Sequence, residues 1–207
     1  MPEPLISFSA IAAPLPQSNV DTDKILPASF LKTVERRGLG RGLFHAMRFD
    51  DEGRPRPDFV LNKAPWDQAG ILIALENFGS GSSREHAPWA LMDFGIRAVL
   101  APSFADIFKQ NCTKNGILPA VVAREDIDKL LDKVRQPNQA RLNINIQEQV
   151  IEDTEGRKWH FEIDVHDKSA LLSGEDDISR SLEYLDDIRR HLEDRASARP
   201  WVNAIAI

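Results

Sequence analysis

The stretch from Glu76 to Trp89 reads ENFGSGSSREHAPW and follows directly on the apolar run GILIAL. A loop of glycines and hydroxyls at the C-terminal edge of a strand, leading into a helix start, sits where open α/β sheets place their ligands. Gly79 and Gly81 let the backbone turn so that its N–H groups converge on one point, and Ser80, Ser82 and Ser83 add hydroxyl donors. Arg84 completes an anion pocket, because a guanidinium fork matches a carboxylate or phosphate with two parallel bonds. The chemistry implied is recognition of a small anion. A purely structural reading competes with it, since Ser82 and Glu85 have the S-x-x-E spacing of a capping box and could do no more than start the helix. Pro88 weighs against that start, because it would fall near the sixth helical position and displace a backbone bond to Arg84. A helix beginning nearer His86 leaves Ser82 and Ser83 in the loop with their hydroxyls available. His86 by itself reads first as a structural histidine.

Several familiar chemistries are excluded at this segment. G-x-G-x-x-G fails because Arg84 occupies the third glycine position, G-x-S-x-G fails because Gly81 stands where the serine should be, and no G-x-x-x-x-G-K-[ST] occurs anywhere. Two other segments carry weaker signals. NVDTD places Asp21 and Asp23 on either side of Thr22, which reads as an Asx-turn entering the Ile25 to Phe30 stretch or, alternatively, as a wall of the ligand cleft. GLGRGL, from Gly38, has the composition of a surface turn or of a mobile loop over a site.

The elements that must position these residues follow from periodicity. Ile71 to Leu75, Ile96 to Leu100 and Ile117 to Val122 are short apolar runs that read as buried parallel strands. Between them the pattern predicts one helix over Ala87 to Phe94, with Gly95 as its left-handed cap, and another over Ser103 to Lys114. The second is expected to take Ser103 as N-cap, to bury Phe104, Ile107 and Phe108 on one face and to stop at Asn115-Gly116. Ile127, Leu130, Leu131 and Val134 form the stripe of a further helix over Arg124 to Arg135. Leu142, Ile144 and Ile146, then Trp159, Phe161, Ile163 and Val165 beyond a turn at Asp153 to Gly156, predict a β-hairpin with one wet face. Ile178, Leu182, Leu185, Ile188 and Leu192 make a long amphipathic stripe near the C-terminus. The first 70 residues are less regular, with a strand over Leu5 to Ala13 and a loop over Asp50 to Asp58. The expected organisation is one α/β domain over 1–207: an irregular N-terminal segment 1–70, a βαβ core 71–123, a helix plus hairpin 124–166 and a C-terminal helical segment 167–207.

Composition narrows the function further. With 207 residues, of which 42% are hydrophobic, the chain can bury a core without disulfides or metals. Its 26 Lys and Arg against 32 Asp and Glu give a net charge of −6, which argues against nucleic acid as a partner. The N-terminal MPEPLISFSAIAAPLPQ has no basic residue and so lacks the charged start of a signal peptide, and no apolar run approaches the ~20 residues needed to cross a bilayer. A cytoplasmic protein without membrane partners is expected. Cys112 is the only cysteine, so this chain alone cannot hold an iron-sulfur cluster or a Cys-rich zinc site.

GSGSSREHAPWAL, followed by FGIRAVLAPSFADIFKQNCTKNGILP and preceded by NVDTDKILPASFLKT, resembles the small subunits of 3-isopropylmalate dehydratases, a family of the aconitase superfamily. LLSGEDDISRSL near Leu171 resembles the C-terminal signature of the same family. The resemblance implies a swivelling β/β/α domain with a C-terminal amphipathic helix, which closes over a 4Fe-4S cluster held by a separate large subunit. No cofactor is expected on this chain, and the diacid substrate is expected at the interface. The implied reaction dehydrates 2-isopropylmalate and rehydrates the alkene at the neighbouring carbon to give 3-isopropylmalate, a step of leucine biosynthesis. By the family's pattern Ser82 removes the proton, while Ser83 and Arg84 grip a substrate carboxylate. FLKT, Phe30 to Thr33, resembles the loop that tunes substrate choice, where Lys32 meets a carboxylate or is simply solvated. A sister hydro-lyase acting on homoaconitate, citraconate or dimethylmalate would share this chemistry, and a swivel module that binds an anion or a partner without catalysis would share the fold.

Overall fold

Strand β1 (Ser7–Leu15) changes character along its length, and the change organises the sheet. In this computed structural model, which describes residues 3–31, 37–81, 84–174, 179, 181–199 and 201, its first residues alternate in exposure and its last four are fully buried. Ser7 to Ile11 pair antiparallel with β5 (Arg141–Asn145), whereas Ile11 to Leu15 pair parallel with β2 (Ala69–Ala74) across a bulge at Ile11/Ala12. The burial follows from the pairing, because parallel strands are covered on both faces and antiparallel ones keep one face wet. β2 and β3 (Ala98–Ala101) are accordingly buried at every position, and β5 alternates.

The seven-stranded order is β4-β3-β2-β1-β5-β6-β7, with β4 (Leu118–Val121), β6 (Val150–Asp153) and β7 (Lys158–His160) completing it. Helices α3 (His86–Phe94) and α4 (Asp106–Lys114) make two of the three crossovers within the parallel half, from β2 to β3 and from β3 to β4. Both steps run in the same direction, so by right-handed crossover the two helices share a face of the sheet. α5 (Arg124–Val134) packs on β1, β2 and β3 through Ile127, Leu130, Leu131 and Val134, the predicted stripe, and all four are buried. Each such side chain contributes roughly 1.5–3 kcal/mol of burial free energy. Gly95 ends α3 in the left-handed region at φ 114° and donates to the carbonyls of Leu91 and Met92, as its position predicts.

The strand order does not leave two open edges. Leu118 and Val122 donate their N–H groups to Arg97 and Ala101, towards β3, so residues 119 and 121 point theirs outward. Val121 donates outward to the carbonyl of Glu162 at 3.0 Å and accepts from the Glu162 N–H at 2.7 Å, so the chain leaving β7 returns to the outer side of β4. Pro119 has no N–H to offer there.

Several expectations need correction. Ser103 does not cap α4, which starts at Asp106 after Ala105, because the Ser103 hydroxyl accepts the backbone N–H of Asn77 instead. The inner face of that helix is Phe108, Cys112 and Thr113, which leaves Ile107 on the outside. The hairpin is a three-stranded meander: Asn145 accepts the Glu148 N–H and Gln149 adopts φ 57°, making a turn without glycine that hides β6 from a search for turn residues. Val165 is not in a strand but opens helix α6 (Val165–Ser173), where Asp164 caps the N–H groups of His166 and Asp167. GLGRG is a packed 3-10 turn, since a Cβ on Gly40 would lie 2.7 Å from the backbone nitrogen of Phe94.

The chain divides into two compact units, residues 2–174 with the sheet and its helices, and a second that contains residues 175–207. In the second, α7 (Leu185–Ala198) pairs Arg189 with Asp186 and Arg190 with Asp187 on its charged side. Leu182, Leu185, Ile188 and Leu192 are exposed, and Ile178 of the same stripe lies outside the described residues. Short helices α1 (Thr22–Ile25) and α2 (His45–Arg48) belong to the long β1 to β2 connection of the first unit.

Candidate functional site

Each parallel strand is followed, past the C-terminal edge of the sheet, by a segment that keeps pairing. Beyond β2 the chain runs as Glu76 to Gly81, flanked on one side by Asn19 to Thr22 beyond β1 and on the other by Ser103 to Ala105 beyond β3. Asn19 donates to the Glu76 carbonyl at 2.9 Å, Gly79 to that of Val20 at 2.7 Å and Thr22 to that of Ser80 at 2.8 Å. Across the other side Phe78 donates to Ser103 at 3.1 Å and Ala105 to Phe78 at 3.0 Å. The glycine loop is therefore held as the middle member of three parallel segments. Phe78 anchors it in the core, edge-on to the rings of Phe104 and Phe108.

Gly79 and Gly81 are needed for different reasons. Both have positive φ, 80° and 97°, which a side chain disfavours. A Cβ on Gly79 would also fall 2.1 Å from Cγ of Phe108, whereas one on Gly81 would meet the Thr22 hydroxyl at an ordinary 3.4 Å. Helix α3 begins at His86 with Glu85 as N-cap and no side-chain capping bond. Glu85 is thus the N-cap itself and not the third helical residue that a capping box requires, while Ser82 lies outside the described residues. Pro88 takes the third helical position, where its missing N–H has no intrahelical partner to lose.

A small depression is lined by Thr22, Asp23, Leu26 and Leu31 on one wall and by Arg84, His86 and Ala87 on the other. The predicted residues Thr22, Asp23 and Arg84 thus meet, with Gly79 and Gly81 supporting the loop beside them. Asp21 is turned away to its Asx role, its carboxylate accepting the Lys24 N–H at 2.7 Å as N-cap of α1. Lys32, Ser82 and Ser83 lie outside the described residues. The His86 ring rests on Trp89 with centroids 4.8 Å apart, and Trp89 Nε1 donates to the Asn115 side chain at 2.9 Å.

The start of the segment beyond β2 carries a charged cluster. Glu76 accepts from Arg124 and from the Ser18 hydroxyl, and Arg124 also bonds Asp128. Its own backbone N–H, then Ser18 and Arg124, hold the Glu76 carboxyl below its usual range, while Glu76 first and Asp128 second hold Arg124 above its own. Sequence reasoning gave Asn19 and Asn77 no individual role and Ser103 only that of a helix cap, yet all three tie these segments together. Polar residues one to five positions past a strand end were the available signal.

The profile of the family described as the aconitase C-terminal domain matches residues 3–125. The 3-isopropylmalate dehydratase small subunit of Gluconacetobacter diazotrophicus is 52% identical over 200 residues, covering 97% of each chain, and that of Rhodospirillum rubrum is 53% identical over 195 residues, covering 94% of each. The chain belongs to the 3-isopropylmalate dehydratase small-subunit family, within the aconitase C-terminal domain group. For the fold, a crystal structure of 3-isopropylmalate dehydratase from Methanocaldococcus jannaschii matches with a TM-score of 0.62 and 24% identity, over 92% of this chain and 99% of that one. The aconitase-type α/β fold expected for this family, with a helix near the C-terminus, is the one observed.

The residues of this family member do not fit the iron-sulfur cluster that the superfamily implies. A cluster needs three or four thiolates. Cys112 is fully buried in α4, and burial pushes its thiol well above the usual range. Among the described residues no three His, Cys, Asp or Glu side chains come together as a metal site would require, and no helix is long and apolar enough to cross a membrane.

Proposed function

We propose that this chain is the small subunit of a 3-isopropylmalate dehydratase, a hydro-lyase that isomerises 2-isopropylmalate to 3-isopropylmalate in leucine biosynthesis. It acts in the cytoplasm with a large subunit that carries the 4Fe-4S cluster. One observation carries this reading: identity of about half with small subunits of that name over nearly the whole chain, through the loop that brings Arg84 opposite Thr22 and Asp23.

This chain's role in the reaction is to hold the diacid and to move a proton. Arg84, helped by Ser83, grips one carboxylate with two parallel bonds and so fixes which carbon faces Ser82. Ser82 removes the proton from that carbon. A serine hydroxyl is a weak base precursor, and its alkoxide needs convergent loop N–H groups, the N-terminus of α3 and Arg84 around it in a site from which the large subunit excludes water. Lys32 would meet the second carboxylate or the variable substituent from the opposite loop.

The test is to reconstitute the chain with an aconitase-like large subunit and to follow turnover of 2-isopropylmalate, homoaconitate, citraconate and dimethylmalate. Preference for 2-isopropylmalate is expected. Turnover of another diacid in its place overturns the substrate and keeps the reaction class, and no turnover of any overturns both. In the active complex, Ser82→Ala is expected to lower kcat by orders of magnitude with little change in substrate affinity, the signature of a group that acts in the transition state.

A further inference from the structure

Four described residues other than glycine have a left-handed backbone: Asn19, Phe44, Asn77 and Gln149. Two of them bond each other. Asn77 Nδ2 donates to Asn19 Oδ1 at 2.8 Å, and the two residues have φ 58° and 55°. Asn19 stands just ahead of the Thr22 and Asp23 wall of the depression, and Asn77 just ahead of the loop that leads to Arg84. Their backbones carry the next bonds outward, Asn19 donating to the Glu76 carbonyl at 2.9 Å and Asn77 to the Ser103 hydroxyl at 2.9 Å. The side-chain pair thus ties together the segments beyond β1 and β2, and the Asn77 backbone joins the segment beyond β3 to them.

Glycine would adopt this backbone geometry with no steric penalty, and asparagine is the side-chain residue that tolerates it best. What asparagine adds at both positions is the bond between them. Both residues are exposed, so that bond adds little to the fold. A left-handed pair joining the segments that lead into the two walls of a site is instead a means of setting their separation.

We infer that Asn19 and Asn77 form a clasp that sets the spacing between the Thr22 to Asp23 wall and the Asn77 to Gly81 segment, and so act as positioning residues for the isomerisation. The inference rests on the function proposed above. Displacement of a bound substrate by about 1 Å is enough to cost catalysis around a hundredfold, so loosening the clasp acts on turnover.

The experiment compares Asn19→Gly, Asn77→Gly, the double variant and Asn19→Asp in the reconstituted holoenzyme. Each glycine variant is expected to lose about tenfold or more in kcat with a smaller change in KM, and with no fall in Tm because the strained backbone is relieved. The double variant should be no worse than the worse single one, since both remove the same bond. Asn19→Asp, which keeps an acceptor for Asn77, should retain most of the activity. Wild-type kcat in the single variants, multiplicative loss in the double variant, or a lowered Tm with unchanged turnover would each overturn the clasp. A wild-type complex inactive on every diacid overturns the functional reading and the clasp with it, whereas an active wild type matched by its variants removes the clasp alone.

Discussion

Arg84 is an exposed arginine whose side chain borders the depression opposite Thr22 and Asp23, and its value depends on shape as much as on charge. A planar fork orients a carboxylate where the point charge of lysine does not. Arg84→Lys is therefore expected to be nearly as harmful as Arg84→Ala, each losing roughly 1.5–3 kcal/mol, about ten- to a hundredfold in kcat/KM, with KM raised as well. Steady-state kinetics of the complex check this, and a near-normal lysine variant would remove Arg84 from the substrate site. Gly79→Ala tests the loop itself. Its Cβ would meet the ring of Phe108 at 2.1 Å with the backbone at φ 80°, so a loss of about 2 kcal/mol or more is expected by urea unfolding, well beyond that of Gly81→Ala. At this scale the sequence was legible where a residue type has a narrow use: two glycines, an arginine and an Asp-Thr-Asp run all lie at or beside the depression. Asn19, Asn77 and Ser103 were not legible, because their role exists only between segments 26 to 58 residues apart. Ser103 was misread for a related reason, its hydroxyl serving a neighbour in space when its neighbours in sequence suggested a cap.

Among the elements, β2, β3, β4, α3 and α5 could be placed from apolar period and punctuation alone, since burial on both faces or along one stripe leaves a clear pattern. β6 could not, because the turn leading into Val150–Asp153 is built on Asn145 and Gln149 without glycine or proline. That strand also holds the acidic half of a charged link to α5. Lys133 Nζ lies 2.8 Å from Asp153, with side chains 7% and 0% exposed, and 3.2 Å from Glu155. Burial pushes the Asp153 carboxyl up, but Lys133 and the backbone N–H groups of Arg157 and Glu155 outweigh it and leave it below the usual range, while Asp153 first raises Lys133. The Asp153 contribution is therefore present above its unfolded pKa of about 4 and lost as pH falls through its lower folded value. That of Lys133 is present below its unfolded value of about 10.4 and lost as pH rises through its higher folded one. Lys133→Met is expected to cost about 3 kcal/mol near neutral pH, the low end for breaking a buried pair, because Asp153 keeps its bonds from Glu155 and Arg157. Urea midpoints of wild type and variant should converge below about pH 4 as Asp153 takes up a proton. A gap that stays constant with pH would show that the loss is one of packing.

At the scale of the molecule, a subunit made before its partner arrives must survive on its own, and a sheet with a bare flank is a template on which other chains can add strands. The flank beyond β4 offers little to copy. Val121 has already given its outward N–H and carbonyl to Glu162, and Pro119, two residues earlier, has no N–H to give. Pro119 is buried, so Pro119→Val adds an N–H without an outward partner and is expected to cost about 1–3 kcal/mol by urea unfolding and, compared at equal distances below each melting point, to raise the rate at which the free subunit scatters light or binds an amyloid dye. An unchanged rate would mean that the Val121 and Glu162 contact protects the flank without help. If the rate rises, the proline of an edge strand bears on shelf life, on how long an unassembled subunit stays dispersed and available, a property that no assay of the finished enzyme measures.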